Sequence, residues 1–341
     1  MAPPVPGIKL NENGVPNFED LPVRKGDPYL SAWGLYGDKD ELGTLNRLTD
    51  ERVAAAAKSE IKTGHRVSLN WPLSAQPKES FFSRAVLHQQ IIRKDPRVIN
   101  DDVWTFNTQV SSQWDGLRHF AYQREGLFYN GITQSDIHDC ASADGTRSTV
   151  NGIHAWAEQG IVGRGILVDY HSWRQTQPAS HPSASYDAFA DTPIPLCDLQ
   201  ACLAAQGTEP RFGDILFIRS GFHAALSTKP ASFIASHRSV VPHRFGGVER
   251  SPDTLRWIWD HFSAVAGDQP SFESWPAPPD APYLMHEVVL AGWGCPIGEL
   301  FDLEALAAHC KEQRRWSFFV SSEPCNVPGG VASPPNVLAI F

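Results

Sequence analysis

Short apolar runs alternate with helical patterns along most of this 341-residue chain. Two of the runs, at 166–168 and 215–218, contain large and mostly branched apolar residues, which are typical of strands buried on both faces of a sheet. Between them, residues 198–207 begin with Asp198 and end with Gly207, which predicts a capped helix. Because strands and helices alternate in this way, the pattern predicts an α/β fold with a mixed sheet.

Capping residues indicate further helices. Thr49 or Asp50 begins one that Gly64 is predicted to end, and Ser251 precedes another whose first position is Pro252. The remaining predicted elements are a helix at 302–312 and strands at 65–71, 86–92, 103–110 and 316–322. No unit recurs at a fixed spacing of roughly 20–50 residues, which excludes a repeat architecture.

The beginning of the chain differs from the rest. Residues 1–30 contain six prolines and show little periodicity, so they are predicted to form an extended arm that lies over the body or over a partner subunit. Residues 31–341 are predicted to form a single domain. Within it, segment 174–195 is rich in proline, serine and alanine, and we interpret it as a surface excursion because strands of the same kind lie on both sides.

Composition and charge narrow the function classes. Hydrophobic residues make up 42% of the chain and charged residues 20%, as in an ordinary globular protein. A formal net charge of −9 without a basic stripe argues against nucleic acid or an anionic membrane as a partner. The six cysteines form no CxxC pair and fit a reducing compartment. A signal-peptide pattern and an apolar run of about 18–20 residues are both missing, so we expect a soluble, cytoplasmic protein.

The candidate chemistry is concentrated in segment 109–120, QVSSQWDGLRHF. If the preceding strand continues, its period of two places four polar side chains on one face. These are Gln109, Ser111, Gln113 and Asp115, and His119 follows four residues later. Burying such a row costs free energy unless the groups satisfy one another, a metal or a ligand. A solvent-facing edge strand is the alternative interpretation.

This segment resembles the signature of the cyclase family of kynurenine-formamidase-like amide and lactone hydrolases, His-x-Gly-Thr-His-x-Asp-x-Pro-x-His. Gln109 and Gln113 stand at the two leading histidines, Asp115 at the aspartate and His119 at the final histidine. Ser111 and Ser112 occupy the Gly-Thr positions, and Leu117 the proline position. Segments in the same family style are 33–46, 151–170, 212–222 and 286–306, so the resemblance runs from about Trp33 to the C-terminus.

The resemblance implies a fold and an activity. The family has a swivelling β/β/α fold, with a central mixed sheet flanked by helices. Its members hydrolyse an amide, formamide or lactone bond of a small, often aromatic or cyclic substrate, and the best-known activity is an arylformamidase step in tryptophan breakdown. They assemble as homodimers or larger homo-oligomers. We therefore expect a hydrolase with a small-molecule substrate.

The resemblance also assigns roles to residues. The family's two leading histidines and its aspartate hold a divalent metal, usually zinc or manganese, and it has a further histidine and acid that fall on His286 and Glu299. With glutamine at both leading positions, the implied ligands are Asp115, His286 and Glu299, while His119 moves the proton with Asp115 beside it. The predicted substrate-binding residues are Gln109, Gln113, Trp114, Arg118 and Phe120.

Three alternatives stay open because an amide oxygen is a weak replacement for imidazole at zinc. His119 itself can join the three other residues as a ligand. A metal-free cyclase, dehydratase or isomerase of secondary metabolism can use His119 as a general base oriented by Asp115 or Glu299. The scaffold can also be a non-catalytic small-molecule binder. Arg118 can anchor a substrate carboxylate or pair with a structural acid.

Overall fold

The computed structural model describes residues 8–139 and 147–341, so the first seven residues of the predicted arm lie outside the described part. The strands are β1 (Arg66–Ser68), β2 (His88–Arg93), β3 (Asn100–Thr105), β4 (Gln113–Asp115), β5 (Ile161–Val168), β6 (Pro193–Ile194), β7 (Asp214–Ile218), β8 (Gly247–Val248), β9 (Phe262–Gly267), β10 (Ile297–Glu299), β11 (Ser317–Ser322), β12 (Ala332–Ser333) and β13 (Val337–Ile340). The α-helices are α1 (Asp50–Glu60), α2 (Gln134–His138), α3 (His154–Gln159), α4 (Tyr170–Arg174), α5 (Leu196–Gln206), α6 (Phe222–Thr228), α7 (Ala231–Ser239), α8 (Pro252–His261) and α9 (Glu304–Gln313).

A mixed sheet lies at the centre of the described chain. Its nine strands follow the order β1-β13-β11-β5-β7-β9-β10-β4-β12. The middle strands β5, β7, β9 and β10 are parallel, and the outer strands pair antiparallel. Helices α1 and α5 contact β5, α8 contacts β9 and α9 contacts β1. The predicted α/β class and the central mixed sheet flanked by helices are therefore confirmed.

The two apolar runs form neighbouring central strands, as predicted. Residue Gly165 of β5 lies opposite Ile215 of β7 in parallel register. Every residue of β7 and β9 is buried, since helices or loops cover both faces of the sheet. Strand β10 pairs with the buried strand β9, and β10 in turn positions part of the candidate site.

Several helix boundaries follow the predicted caps, but α5 begins at Leu196, with Pro195 at the N-cap position, and not at the predicted cap Asp198. Thr49 caps α1 and Ser251 caps α8, each by accepting a hydrogen bond from a backbone N–H three residues later. Gly207 ends α5 in the left-handed conformation, with φ +63°. The prediction that Gly64 ends α1 is wrong, because the helix stops at Glu60. The chain leaves the helix early so that the Gly64 N–H can donate to the C-terminal backbone oxygen.

The prediction of one continuous strand over 103–110 is also wrong. Strand β3 ends at Thr105 and pairs with β2 in a two-stranded hairpin whose side chains are nearly all exposed. Residues 106–112 form a turn that carries the chain from this hairpin to the central sheet, where β4 begins at Gln113. The continuous polar face over 109–115 therefore does not exist, because the two strands belong to different sheets.

Residues 8–30 pack against the body of the protein. The Phe18 ring meets the Trp293 ring edge to face, with centroids 6.5 Å apart. The Trp259 Nε1–H donates to the Pro16 oxygen at 3.0 Å, and Trp293 Nε1–H donates to Leu30 oxygen at 2.8 Å. These contacts fix the described part of the arm on its own chain. The division into residues 1–30 and 31–341, and a contact with a partner subunit, stay predictions.

Segment 174–195 is anchored by aromatic side chains. Tyr186 and Phe189 are buried, and the Phe189 ring lies 5.1 Å from the Phe222 ring. The segment ends in β6, which pairs with β8 away from the central sheet. Across the described ranges, no helix is both long enough and apolar enough to cross a membrane.

We expect Ser251→Ala to lower the free energy of unfolding by about 1 kcal/mol, because the first turn of α8 loses the acceptor for its Thr254 N–H. Urea titration followed by tryptophan fluorescence measures the change. Ser251→Asp keeps an acceptor at the cap and is the matched control. An unchanged midpoint for Ser251→Ala would show that α8 does not need this cap.

Candidate active site

The predicted chemistry gathers at a cavity of about 210 Å³. Its lining residues are Phe82, Arg84, His119, Phe120, Pro270, Ser271, Trp275, His286 and Glu299. An apolar cavity of about 150 Å³ is enough for benzene, so this one has the size of a single aromatic ring with a small substituent. Aromatic side chains form much of the wall, and its polar groups are two histidines, an arginine, a serine and a carboxylate.

Pairing of β4 with β10 brings two distant parts of the chain together. The strands are antiparallel, with Gln113 opposite Glu299 and Asp115 opposite Ile297. In this register the Gln113 Nε2–H donates to Glu299 Oε2 at 2.7 Å. Because Gln113 and Asp115 are two residues apart on one strand, their side chains face the same side. Both are fully buried.

Gln109 reaches the site from the turn that precedes β4. Its Nε2–H donates to Asp115 Oδ1 at 2.5 Å, and the same nitrogen lies 3.1 Å from His119 Nδ1 and 3.2 Å from His119 Nε2. The backbone N–H of His119 donates to the Gly116 backbone oxygen at 2.9 Å, which closes a tight turn before the cavity. His119 Nε2 is 3.9 Å from Asp115 Oδ2. The Gln109 amide therefore links the two predicted catalytic side chains.

Glu273 and Arg250 hold His286 in place, and the sequence analysis missed both. Glu273 Oε1 accepts from the His286 N–H at 3.0 Å and lies 2.9 Å from its Nδ1. Arg250 Nη1 lies 3.2 Å from the other Glu273 oxygen. The remaining ring nitrogen, His286 Nε2, is 3.3 Å from Glu299 Oε1 and faces the site. Glu273 follows β9 in an irregular segment, where no periodic pattern marks it.

Burial and neighbouring charges set the protonation of these groups. Burial lowers the pKa of His119, so its imidazole is neutral near pH 7. Burial and the Asp115 charge raise the pKa of Glu299. Burial also disfavours a charged His286, but hydrogen bonds to Glu273 and Glu299 outweigh it and raise the pKa of His286 to about 10. Without an ion, His286 is therefore protonated between two carboxylates while His119 is neutral. A metal bound at His286 Nε2 would take the place of the proton there.

Four of the five predicted substrate-binding residues do not line the cavity. Gln109 and Gln113 donate to Asp115 and Glu299 instead, and Trp114 and Arg118 lie elsewhere. Trp114 is fully buried on the opposite face of β4, where its ring packs 5.0 Å from Phe301, because neighbouring residues of a strand point to opposite sides. Arg118 donates to the backbone oxygens of Val150, Gly329 and Ser148. Neither lines the cavity, and among the described residues Arg118 forms no ion pair with an acid.

Phe120 is the one predicted substrate-binding residue that lines the cavity, and the sequence analysis missed Phe82, which also lines it. The Phe120 ring lies 5.4 Å from the His286 ring. Phe82 and the following Ser83 both have left-handed backbone conformations, with φ of +59° and +54°. Such conformations are rare for a bulky residue and occur often at functional sites. No sequence signal distinguishes this turn from an ordinary loop.

Three side chains could hold a metal ion. Asp115, His286 and Glu299 each offer one ligand atom, and these atoms lie within 4.8 Å of one another. Asp115 Oδ2 and Gln113 Oε1 are buried without a hydrogen-bond partner among the described residues. One imidazole and two carboxylates form a donor set that suits zinc or manganese. The residues present therefore fit the metal that the family resemblance implies.

A larger groove, of about 1020 Å³, lies along the proline-rich segment 276–282. Its walls are mainly apolar and include Tyr29, Tyr283 and Arg250, but no histidine of the described chain lines it. Histidines and buried acids meet at the smaller cavity instead. Size alone therefore does not locate the chemistry, and the smaller cavity is the candidate active site.

Solved structures similar to this chain include a cyclase and two isatin hydrolases. A structure described as a novel cyclase is 30% identical to this chain, with a TM-score of 0.76, and the match covers 91% of this chain and 99% of that one. Isatin hydrolase A from Ralstonia solanacearum is 13% identical, with a TM-score of 0.53, over 86% and 98% of the two chains. Isatin hydrolase A from Labrenzia aggregata, bound to benzyl benzoate, is 14% identical, with a TM-score of 0.51, over 87% and 98%. The two isatin hydrolases share the fold.

Comparison of the sequence alone finds a family model but no curated relative. No curated protein sequence matches the chain. A family model described as "Putative cyclase" matches residues 64–274, which include the signature segment and Glu273. Together with the 30% identity to the cyclase structure over nearly its whole length, this match shows that the chain belongs to the cyclase family.

Proposed function

We propose that this protein is a hydrolase that cleaves an amide, formamide or lactone bond of a small aromatic or cyclic substrate. The observation that carries the proposal is the position of His119, which lies beside Asp115 at a cavity with the size of one substituted ring. Membership of the cyclase family supports it. Isatin hydrolases with this fold make a cyclic amide a reasonable first substrate to assay.

Asp115, His286 and Glu299 are the residues that would hold a divalent metal. A bound zinc or manganese ion would polarise the substrate carbonyl and lower the pKa of water. Glu273 accepts from His286 Nδ1 and so orients the ring with Nε2 toward the other two side chains. Such a carboxylate behind a histidine is the usual support of a metal ligand.

The other residues act on the proton and on the substrate. His119 is neutral, so it can take a proton from water and return it to the leaving group. The Gln109 amide fixes Asp115 and the His119 ring relative to each other. Phe120 and Trp275 line the cavity, where their rings pack against an aromatic substrate and exclude water.

A metal-free acid–base enzyme, such as a cyclase, dehydratase or isomerase, is the second candidate. Its supporting observation is the pair of glutamines that replace histidines in the family signature. Gln109 donates to Asp115, and Gln113 donates to Glu299, so both buried carboxylates have hydrogen-bond donors without an ion. In this case, the imidazolium of His286 supplies the positive charge beside Glu299.

We expect His119→Ala to reduce kcat at least about a hundredfold, because the general base is lost. The assay is acid release from formanilide, dihydrocoumarin and isatin. His88→Ala, on the exposed hairpin, is the matched control and should retain activity. Thermal unfolding at an unchanged temperature shows that the variant is folded. Full activity in His119→Ala contradicts the proposal. So does a parent protein that hydrolyses none of the three compounds and does not hydrolyse 2-formamidobenzoate, which carries a carboxylate on the ring.

We expect the protein, purified without a chelator or a histidine tag, to hold about one zinc or manganese ion per chain in plasma mass spectrometry. Glu273→Gln should weaken zinc binding about 10- to 100-fold in titration calorimetry, because His286 loses its charged support. Glu158→Gln removes the same charge from an exposed position and should leave binding unchanged. Turnover without bound metal, and without activation by added zinc or manganese, would favour the metal-free enzyme.

A further inference from the structure

Arg84 is the one side chain of fixed positive charge among the described residues that line the cavity. The other polar lining groups are two histidines, one serine and the Glu299 carboxylate. We propose that Arg84 binds a carboxylate on the substrate, so that the preferred substrate is an aromatic acid. The identity of the reaction rests on the proposed function above, but this binding role does not.

The guanidinium group of Arg84 has donors to spare. Its Nη1–H donates to the Gln109 oxygen at 2.7 Å, which holds one side of the group. In the described chain, no carboxylate forms an ion pair with it, and its other N–H groups have no protein acceptor. Arginine carries five N–H donors in a planar fork that matches a carboxylate. Arg84 is therefore positioned but not saturated.

Three other arginines show the contrast. Arg118 donates to three backbone oxygens, Arg219 pairs with Asp169 and Glu304, and Arg250 pairs with Glu273. Each of these groups is engaged by the protein. Arg84 faces the cavity instead, which is the arrangement expected of an arginine whose partner arrives with a ligand.

Two hydrogen bonds hold the backbone before Arg84 in the conformation that places Phe82 and Arg84 at the cavity wall. Gln76 Oε1 accepts from the Phe81 N–H at 3.0 Å, and the Ser80 hydroxyl donates to the Arg84 oxygen at 2.5 Å. The left-handed residue Phe82 lies between these two ties. The turn thus holds the Phe82 ring and the guanidinium group at one cavity, with Cζ of Arg84 5.2 Å from the ring centroid. A ring and a carboxylate on one ligand can use both.

Of the two positive groups at the cavity, His286 is already held by Glu273 and Glu299, so Arg84 is the one left to attract an anionic substrate. Glu299 lines the cavity, and Asp115 is its neighbour, with one carboxylate oxygen of each residue within 4.8 Å of the other. These acids repel a substrate carboxylate, whereas Arg84 attracts it and sets its orientation. With about 210 Å³ available, a benzoate-sized acid is the class of ligand that matches both the size and the charge.

The test compares benzoate with benzamide, its neutral isostere, in titration calorimetry on the full chain. We expect the parent protein to bind benzoate at least about tenfold more tightly than benzamide. Arg84→Met should abolish this preference and leave benzamide binding within about twofold, and Arg84→Lys should keep part of it. Arg97→Met removes the same charge from the exposed hairpin loop and should keep the full preference.

The outcomes separate the two proposals. Benzamide binding by Arg84→Met shows that the cavity is intact, so a lost benzoate preference then belongs to the guanidinium group. An undiminished benzoate preference in Arg84→Met overturns the proposal, and so does a parent protein without the preference. Because binding needs no turnover, absent hydrolysis with intact benzoate selectivity would contradict the proposed function and support the role of Arg84.

Discussion

The antiparallel pairing of β4 with β10 is the constraint on which the candidate site depends. Strand β4 has only three residues, yet its register places Gln113 opposite Glu299, so that acids far apart in the chain share one side of the sheet. A shift by one residue would turn Asp115 to the opposite face and bring Trp114 into its place. Trp114 opposes this shift, because its ring is packed against Phe301 and its Nε1–H donates to Ser322 Oγ at 2.9 Å.

A chain of buried charges extends from this pairing. Arg250, Glu273, His286 and Glu299 follow one another at distances of 3.2, 2.9 and 3.3 Å. Removing such groups from water is costly, and hydrophobic residues of similar size are often at least as stabilising. Stability therefore does not explain this series of buried charges. The need to hold the His286 ring in one orientation at the cavity does explain it.

The walls of the cavity come from irregular segments. Phe82 and Arg84 belong to a strained turn. Gln109, whose backbone oxygen accepts from Arg84, belongs to the turn between the exposed hairpin and the central sheet. Sequence periodicity detects helices and strands because their side chains repeat at a fixed interval. Turns have no such interval, and their side-chain directions depend on local hydrogen bonds. For this reason the sequence analysis missed Arg84 and Phe82, and placed Gln109 on a strand.

The sequence by itself determined the α/β class, the central strands, the caps of α1 and α8 and the family, since these depend on apolar periodicity, capping chemistry and a motif. It also named Asp115, His286 and Glu299, which the fold places within 4.8 Å of one another. Only the tertiary structure decided that Trp114 and Arg118 lie outside the cavity and that Glu273 supports His286. Those contacts join distant segments, and their geometry depends on strand register and burial, which no local pattern encodes.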